Sequence, residues 1–204
     1  MSKYYIYGAS GHAKVIAATA FSQGIEINGF IDDFSHEVGR EFLNRKVYRK
    51  DVLCPGDNVF FGFGNNAVRE QVGDSLLANG ISLPNLIHSS AIVSMDVRLG
   101  QGIYIGAGVV VDPDCSIGDF CILNNMSCLC HDTVIGTATH VCPMSVCAGN
   151  VSIGARVWVG LGSRIIEKIT IADDVFIGAG SVVVSDVTVK CLIYGNPARL
   201  KGHQ

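Results

Sequence analysis

The fold is decided by a six-residue repeat, which can be read in residues 105–136, IGAGVVVDPDCSIGDFCILNNMSCLCHDTVIG. A core-type residue recurs at every sixth position from Ile87 to Val183, and it is aliphatic at all of them except Cys147. A small or β-branched residue often stands two positions earlier, and a glycine often follows. A period of six matches neither an α-helix nor a simple two-residue alternation. It predicts short strands joined by tight turns, which stack into a solenoid.

The beginning of the chain has the pattern of a small α/β unit. Strands are predicted at Tyr4–Tyr7, Ile27–Ile31 and Val59–Phe63, and helices at about Ala13–Phe21 and Ala67–Ala78. Each strand runs into a loop of glycine and polar residues, at positions 8–13, 32–33 and 64–66. Ligands of open parallel sheets bind beyond the carboxyl ends of the strands, where turns present N–H groups to phosphate. The spacing is not that of a dinucleotide site, and helix caps without a ligand use the same residue types.

The composition excludes several function classes. The formal net charge of −3 over 204 residues gives no basic footprint for nucleic acid. No run approaches the roughly 20 apolar residues of a membrane span. Eight cysteines in a chain that begins without a signal-peptide pattern predict a reduced, cytoplasmic protein. Cys115, Cys121 and Cys147 fall on inward positions, and the segment at 128–131 lacks a second ligand pair at zinc spacing.

Short motifs accompany the repeat. They are GASGHAKV at 8–15, IDD at 31–33, GNN-x-x-R at 64–69, LIHSSA at 86–91 and YGNPAR at 194–199. With the histidines of the coils, this set resembles the bacterial nucleotide-aminosugar N-acetyltransferases of the bacillosamine and perosamine type, which are grouped with sialic-acid O-acetyltransferases. The resemblance covers nearly the whole chain. It implies a Rossmann-like α/β unit followed by an all-β left-handed parallel β-helix of hexapeptide repeats.

The resemblance also implies where each ligand binds. Residues 1–84 would bind the nucleotide-linked amino sugar, residues 85–190 would form the β-helix that binds acetyl-CoA, and residues 191–204 would be a C-terminal tail. The sugar nucleotide would be held by Ser10, Gly11, His12, Asp32, Asp33, Gly64 and Asn65. Asn124 would lie near the acceptor, and acetyl-CoA would contact His140, Leu161 and Ala179. His131 would be the general base, and no metal is expected.

The spacing of the repeat gives partly independent support for this site. Three repeats of six residues make one coil, so residues eighteen apart should lie above each other, about 4.8 Å apart. Gly149 is therefore predicted beside His131, where it leaves room for a thioester carbonyl and exposes an N–H group to an oxyanion. A second ladder that suits a pantetheine arm consists of Asn125, Pro143, Leu161 and Ala179. Because the two ladders lie on different sides of one prism, one subunit cannot easily bring both to one ligand, whereas neighbouring prisms packed around a threefold axis can. This is the homotrimer, with sites between subunits, that the resemblance implies.

The predicted reaction is direct acetyl transfer to a sugar amine. His131 would take the proton as the nitrogen attacks, and Asp132 would orient the imidazole ring. The bacillosamine-type enzymes carry glutamate at the position of Asp132, so the aspartate is one methylene shorter. We predict an acetyl-CoA-dependent N-acetyltransferase for a nucleotide-linked amino sugar, such as a 4-amino-4,6-dideoxy sugar, in lipopolysaccharide or O-antigen biosynthesis.

Several alternatives stay open at this point. One alternative is a sugar or sialic-acid O-acetyltransferase, in which the acceptor is a hydroxyl group. Another is a nucleotide-sugar-binding scaffold without catalytic activity, which needs no catalytic histidine. His131 is then a solvated surface residue. A zinc site would need convergence of His88, His131 and His140, which their spacing disfavours within one prism. A nucleophilic cysteine at position 128 or 130 would need a lowered pKa and a base.

Overall fold

The computed structural model describes residues 2–33 and 38–202. A small α/β unit, called here the N-terminal unit (residues 2–33 and 38–82), is followed by a left-handed parallel β-helix. None of the helices in these two ranges is both long and apolar enough to cross a membrane. The architecture confirms the fold class predicted from the hexad repeat and the N-terminal pattern.

The N-terminal unit contains five strands and two α-helices. They are β1 (Tyr4–Tyr7), α1 (Gly11–Ser22), β2 (Gly29–Ile31), β3 (Glu41–Phe42), β4 (Arg45–Tyr48), β5 (Asn58–Phe61) and α2 (Asn66–Ala78), with a 3-10 turn at Lys50–Val52. The sheet order is β3-β4-β2-β1-β5, and only β3 runs antiparallel to its neighbour. The loops that follow β2, β1 and β5 therefore lie side by side, as the sequence predicts.

The predicted elements differ from the observed ones mainly at their ends. Helix α1 begins at Gly11 instead of Ala13, and β2 begins at Gly29 instead of Ile27. Strand β5 ends at Phe61 instead of Phe63. The chain passes α1 closely at Gly62, where an added Cβ would lie 2.8 Å from the Cβ of Ala13. The hairpin of β3 and β4 was not predicted, because two-residue strands carry too little alternation to be recognised.

Each coil of the β-helix contributes one two-residue strand to each of three parallel sheets, called here face 1, face 2 and face 3. Face 1 contains β6 (Leu86–Ile87), β9 (Tyr104–Ile105), β12 (Ile122–Leu123), β15 (His140–Val141), β18 (Trp158–Val159) and β21 (Phe176–Ile177). Face 2 contains β7 (Ile92–Val93), β10 (Val110–Val111), β13 (Cys128–Leu129), β16 (Val146–Cys147), β19 (Arg164–Ile165) and β22 (Val182–Val183). Face 3 contains β8 (Arg98–Leu99), β11 (Ser116–Ile117), β14 (Val134–Ile135), β17 (Ser152–Ile153) and β20 (Thr170–Ile171).

The repeat positions explain the coil geometry. The second residue of each strand points inward, and the residue two positions before it is also inward, so both rows fill one continuous core. The chain turns most corners with a residue in the left-handed region, such as Asp114, Asp132 and Asn150, with φ near 60°. Asp and Asn adopt this conformation more readily than most residues. The glycines that follow the inward aliphatic residue are needed for stacking, because a Cβ at Gly136 would lie 2.5 Å from the Gly154 carbonyl carbon.

The segment predicted as a C-terminal tail forms a hairpin instead. Strands β23 (Leu192–Gly195) and β24 (Ala198–Gly202) pair with each other, and β23 continues face 1 beside β21. Positions 203–204 lie outside the described residues. Strand β24 therefore covers the hydrogen-bonding edge of β23, and Ala198 of the motif at 194–199 packs against the core of the prism.

Both helices of the N-terminal unit pack against the β-helix. Helix α1 covers the outward side chains of Tyr104 and Ile122 on face 1. Helix α2 packs on the corner between faces 3 and 1, where Phe120 and Ala138 belong to the same apolar cluster as Leu76. These contacts hold the loops of the N-terminal unit beside the part of face 1 that carries His140 and Trp158.

A buried arginine fastens α2 to this corner. Arg69 is 0% exposed, and its guanidinium donates hydrogen bonds to the carbonyl groups of Phe120 and Ala138, each at 2.7 Å. It also donates to the Asn66 side chain at 2.9 Å, and Asn66 in turn donates to the Arg156 carbonyl at 3.0 Å. The three carbonyl groups are spaced by one coil. The motif GNN-x-x-R is thus partly a structural connection between the two parts of the chain.

Candidate active site

The candidate catalytic pair lies on the corner between faces 2 and 3. His131 follows strand β13, and its Nδ1 lies 2.7 Å from a carboxylate oxygen of Asp132. Because a carboxylate accepts hydrogen bonds, Nδ1 carries the proton of the neutral ring and Nε2 is left as an acceptor. The imidazole side chain is 60% exposed, so its Nε2 is accessible from outside the prism. This arrangement is the one that general-base catalysis requires.

Gly149 lies directly against this imidazole ring. A Cβ at this position would lie 2.6 Å from both Cε1 and Nε2 of His131. The eighteen-residue spacing therefore predicted the neighbour correctly, but the space that the glycine leaves is occupied by the ring itself. In the described part of the chain, the Gly149 N–H group donates to no backbone acceptor. It is available to a bound oxygen atom.

The second predicted ladder lies on the corner between faces 1 and 2. Leu161 is 54% exposed, and Ala179 is also exposed one coil further along. Asn125 uses its side-chain oxygen to accept a hydrogen bond from the Ala107 N–H group at 3.1 Å. Pro143 lies between Asn125 and Leu161 and accepts a backbone hydrogen bond from Gly162. Leu161 and Ala179 therefore form an apolar strip on the surface.

His140 lies on face 1, inside the junction with the N-terminal unit. It is 5% exposed, its Nε2 lies 3.2 Å from the side-chain nitrogen of Asn124, and its ring is 6.2 Å from that of His12. Burial, with a smaller contribution from the positive charge of Arg69, lowers the pKa of His140 to about 3. The ring is therefore neutral. Within one chain it faces Asn124 and the N-terminal loops, so little of its surface is open to acetyl-CoA.

The first predicted sugar-nucleotide loop connects β1 to α1. Ser10 stands at the N-cap position of α1 without a side-chain capping bond, so its hydroxyl group is not engaged there. A Cβ at Gly11 would contact nothing within 4 Å. Burial lowers the pKa of His12 to about 4, and the nearby charge of Arg69 also lowers it. The loop presents an open helix N-terminus and a neutral imidazole.

The other two loops lie on either side of this one. Asp33 accepts hydrogen bonds from the Tyr7 hydroxyl group at 2.7 Å and from the Lys50 N–H group at 3.0 Å. Asp32 precedes it at the end of β2, with its N–H group bonded to the Tyr48 carbonyl. After β5, the Asn65 side chain caps α2 by accepting from the Val68 N–H group at 3.1 Å. The loop residues predicted to bind the sugar nucleotide are thus brought to one edge of the sheet.

Gly64 connects this edge to a cleft on face 1 that the sequence did not predict. A Cβ at Gly64 would lie 3.7 Å from the His140 ring and 3.8 Å from that of Trp158. The cleft has a volume of about 490 Å³. Its walls include Gly64, Asn65, Arg156, Asp174 and Lys190, and Trp158 and Phe176 form its floor. The only sequence signal for these two aromatic residues was their shared outward position, eighteen residues apart.

The two candidate regions do not meet within one chain. His131 lies on the corner between faces 2 and 3, which is opposite face 1 in a triangular prism. The sugar-nucleotide loops, Asn124 and the cleft all lie on the side of face 1. Among the described residues, no group of three His, Cys, Asp or Glu side chains is placed to hold a metal ion. All eight cysteines are free thiols.

Comparisons with known proteins identify the relatives of this chain. The family model of the PglD N-terminal domain matches residues 3–76. The structure of PerB from Caulobacter crescentus, solved in complex with CoA and GDP-perosamine, is 36% identical, with a TM-score of 0.91 over 99% of this chain and 98% of PerB. The acetyltransferase domain of PglB from Neisseria gonorrhoeae FA1090 is 29% identical, with a TM-score of 0.91 over 98% of this chain and 100% of that domain.

A curated relative is longer than this chain. The uncharacterized protein L142 of Acanthamoeba polyphaga mimivirus is 29% identical over 122 residues, which are 58% of this chain and 24% of L142. The chain therefore spans about a quarter of the length of that relative. PerB, in contrast, matches from end to end, with the same two-part architecture. The chain belongs to the hexapeptide-repeat sugar acetyltransferases, the family of PerB and of the PglB acetyltransferase domain.

Proposed function

We propose that this protein transfers the acetyl group of acetyl-CoA to the amino group of a nucleotide-linked amino sugar. The observation that carries the proposal is the His131–Asp132 pair beside Gly149, in a chain that aligns along its whole length with PerB. PerB is bound to CoA and GDP-perosamine, which is a nucleotide-linked amino sugar. A 4-amino-4,6-dideoxy sugar is the substrate class that we expect.

The geometry supports a mechanism in a few steps. The sugar amine attacks the thioester carbonyl carbon, and Nε2 of His131 accepts the proton that the nitrogen loses. Asp132 holds the Nδ1–H group and stabilises the imidazolium ion that forms. The Gly149 N–H group donates to the oxyanion of the tetrahedral intermediate. The intermediate collapses to the amide, and the imidazolium returns its proton to the departing thiolate of CoA.

The two ligands are assigned to separate surfaces. Ser10, Gly11, His12, Asp32, Asp33, Gly64 and Asn65 hold the nucleotide sugar at the edge of the sheet, since their loops lie side by side. The pantetheine arm follows the apolar strip at Leu161 and Ala179. Asn124 lies near the acceptor amine, and His140 fixes the amide group of Asn124 through the 3.2 Å contact. Because His140 is otherwise buried, acetyl-CoA would reach its ring only at the edge that faces Asn124.

A homotrimer completes this site. Face 2 is bordered by exposed apolar residues on both corners, namely Met126, Met144 and Leu161 on one corner and Met95, Ile166 and Val184 on the other. Exposed apolar surface of this extent is typical of protein interfaces. Threefold packing of the prisms along this surface would bring His131 of one subunit to the Leu161 strip of its neighbour. The free cysteines are consistent with a reducing cytoplasm, and the product would serve surface-glycan biosynthesis.

Substitution of the catalytic pair tests the proposal. His131→Ala should lower kcat by roughly 10²–10⁴-fold while both substrates still bind, and Asp132→Asn should lower it less. Asp114→Asn is a matched control, because Asp114 occupies the same left-handed turn position one coil earlier. An alanine variant with near-normal kcat would remove His131 from the mechanism.

Two further measurements separate the alternatives. The acetylated product should survive hydroxylamine and mild alkali, because an amide resists both, whereas release of acetate would identify an ester and an O-acetyltransferase. Sedimentation should give a trimer, and a fully active monomer would contradict a site shared between subunits. All of these assays use one panel of substrates, which are nucleotide-linked 4-amino-4,6-dideoxy sugars with uridine, thymidine or guanosine as the nucleoside.

A further inference from the structure

We propose that Trp158 and Phe176 form the subsite for the hexose ring of the substrate, with the apolar C–H face of a 6-deoxy sugar packing against the parts of these rings that stay exposed in the cleft. This inference rests on the proposed function and names the part of the chain that selects the sugar. It assigns a role to the two aromatic residues of the cleft on face 1, which belong to no sequence motif. Trp158 is then a specificity-determining residue.

The two aromatic rings form an offset stack along face 1. They are outward neighbours on adjacent coils of face 1, with centroids 5.8 Å apart and planes inclined by only 5°. Tyr104 and Ile122 occupy the same outward position on earlier coils of face 1, where α1 covers them, so they belong to the core. Trp158 and Phe176 continue this row beyond the N-terminal unit and are only half-buried. Aromatic surface that packing leaves open in a cleft is available to a ligand.

The cleft lies at the end of a continuous track along the sheet edge. The adjacent strands β2, β1 and β5 lead into the loops that carry Asp33, residues 8–12 and Gly64, respectively, and Gly64 borders Trp158. Neighbouring strands are about 4.8 Å apart, so the track spans on the order of 10 Å before it reaches the aromatic rings. The nucleoside at the Asp33 end, the diphosphate at the N-terminus of α1 and the sugar at Trp158 fit this order.

The charges around the cleft favour a neutral sugar over a phosphate group. Arg156 donates hydrogen bonds to Asp174 at 2.8 Å and to Glu70 at 3.0 Å, and Asp173 lies 3.6 Å from it. The guanidinium charge is therefore already matched by carboxylates. The acceptor oxygens of Asp174 and the ammonium group of Lys190 instead offer hydrogen bonds to hydroxyl groups.

The position of the rings also suits the chemistry. The Trp158 ring packs against the His140 ring at 4.6 Å, and His140 lies 3.2 Å from the side chain of Asn124. Asn124 lies between the aromatic row and the corner that carries Leu161. A sugar on Trp158 would therefore direct its amine toward the acetyl group on that corner.

The test uses the full-length protein and the nucleotide amino sugar that the wild type accepts from the panel above. Trp158→Leu should raise the KM for this sugar roughly tenfold, which is the effect of a lost aromatic contact. The KM for acetyl-CoA and the inhibition constant of the sugar-free nucleoside diphosphate should change less than twofold. Trp158→Phe should recover most of the affinity. Phe21→Leu is the control, since Phe21 is an exposed aromatic residue near the end of α1 that lies away from the loops.

Each outcome decides between the hypotheses. An unchanged sugar KM in the folded leucine variant overturns the subsite, as does an equal weakening of the sugar-free diphosphate, which would indicate that the base lies on the indole. A selective rise in the KM for acetyl-CoA would assign the rings to the cofactor. If Trp158→Leu unfolds, Phe176→Ala is measured by the same three constants. Failure of the wild type to acetylate any sugar in the panel refutes the proposed function itself.

Discussion

Gly149 offers the sharpest test of how the proposed catalytic base, His131, is held. In Gly149→Ala, the added methyl group would lie 2.6 Å from two atoms of the His131 ring, whereas ordinary contacts begin near 3.4 Å. The backbone of Gly149 has no positive φ, so alanine is compatible with the local conformation. The substitution also keeps the backbone N–H group. Its effect on catalysis should therefore come from displacement of the ring.

The expected size of the effect follows from these distances. The ring must retreat by about 1 Å or rotate into solvent, and a displacement of this size costs on the order of 10²-fold in rate. Rotation also breaks the 2.7 Å hydrogen bond to Asp132, which is an exposed pair that contributes about 1 kcal/mol or less to folding. We therefore expect kcat to fall about 100-fold while the free energy of unfolding changes by less than about 1 kcal/mol.

A double-mutant cycle provides the assay. We would measure kcat for the wild type, Gly149→Ala, His131→Ala and the double variant, with urea unfolding as a check on stability. If Gly149 acts through the ring, the alanine at 149 should cause no further loss when His131 is already absent. A full 100-fold loss in the His131→Ala background would refute this reasoning and would point to a direct role of residue 149 in binding the thioester.

Two further predictions concern the junction between the N-terminal unit and the β-helix. Folding lowers the pKa values of His12 and His140 to about 4 and about 3, so the unfolded chain binds protons first as the pH falls below 6.5. The free energy of unfolding should therefore decrease between pH 6.5 and pH 4, by on the order of 1 kcal/mol per histidine and pH unit. In urea unfolding, His140→Asn should make this dependence on pH shallower, and an unchanged dependence would contradict the assignment. Arg69→Met should lower the free energy of unfolding by about 3 kcal/mol, because it leaves two buried carbonyl groups without a donor, whereas Arg98→Met on exposed face 3 should have little effect.

The parts of the structure that follow from local periodicity were predictable. The six-residue repeat defines the inward rows, and the eighteen-residue coil correctly predicts Gly149 beside His131. Adjacent residues share a turn, so the Asp132 contact was also within reach of the sequence. These relations depend only on the spacing along the chain and on the geometry of one coil.

The parts that depend on how the two units pack were not predictable. No spacing rule relates Arg69 in α2 to the carbonyl groups of Phe120 and Ala138, because backbone acceptors leave no trace in the sequence. For the same reason, the burial of His140 and the opening of the cleft at Trp158 follow only from where the N-terminal unit ends on face 1. Long-range docking of this kind has no periodic signal.

The connection through Arg69 and Asn66 has a consequence for how this family can diversify. The acceptors on the β-helix are main-chain carbonyl groups, which every amino acid provides, so the identities of residues 120, 138 and 156 contribute little to this set of bonds. An N-terminal unit from a relative that carries the same Asn and Arg should dock on this prism with its own loops. Recombination at the boundary between the N-terminal unit and the β-helix would then exchange the nucleotide preference and leave the residues of the β-helix unchanged. The same boundary is a suitable crossover point for building chimeric enzymes.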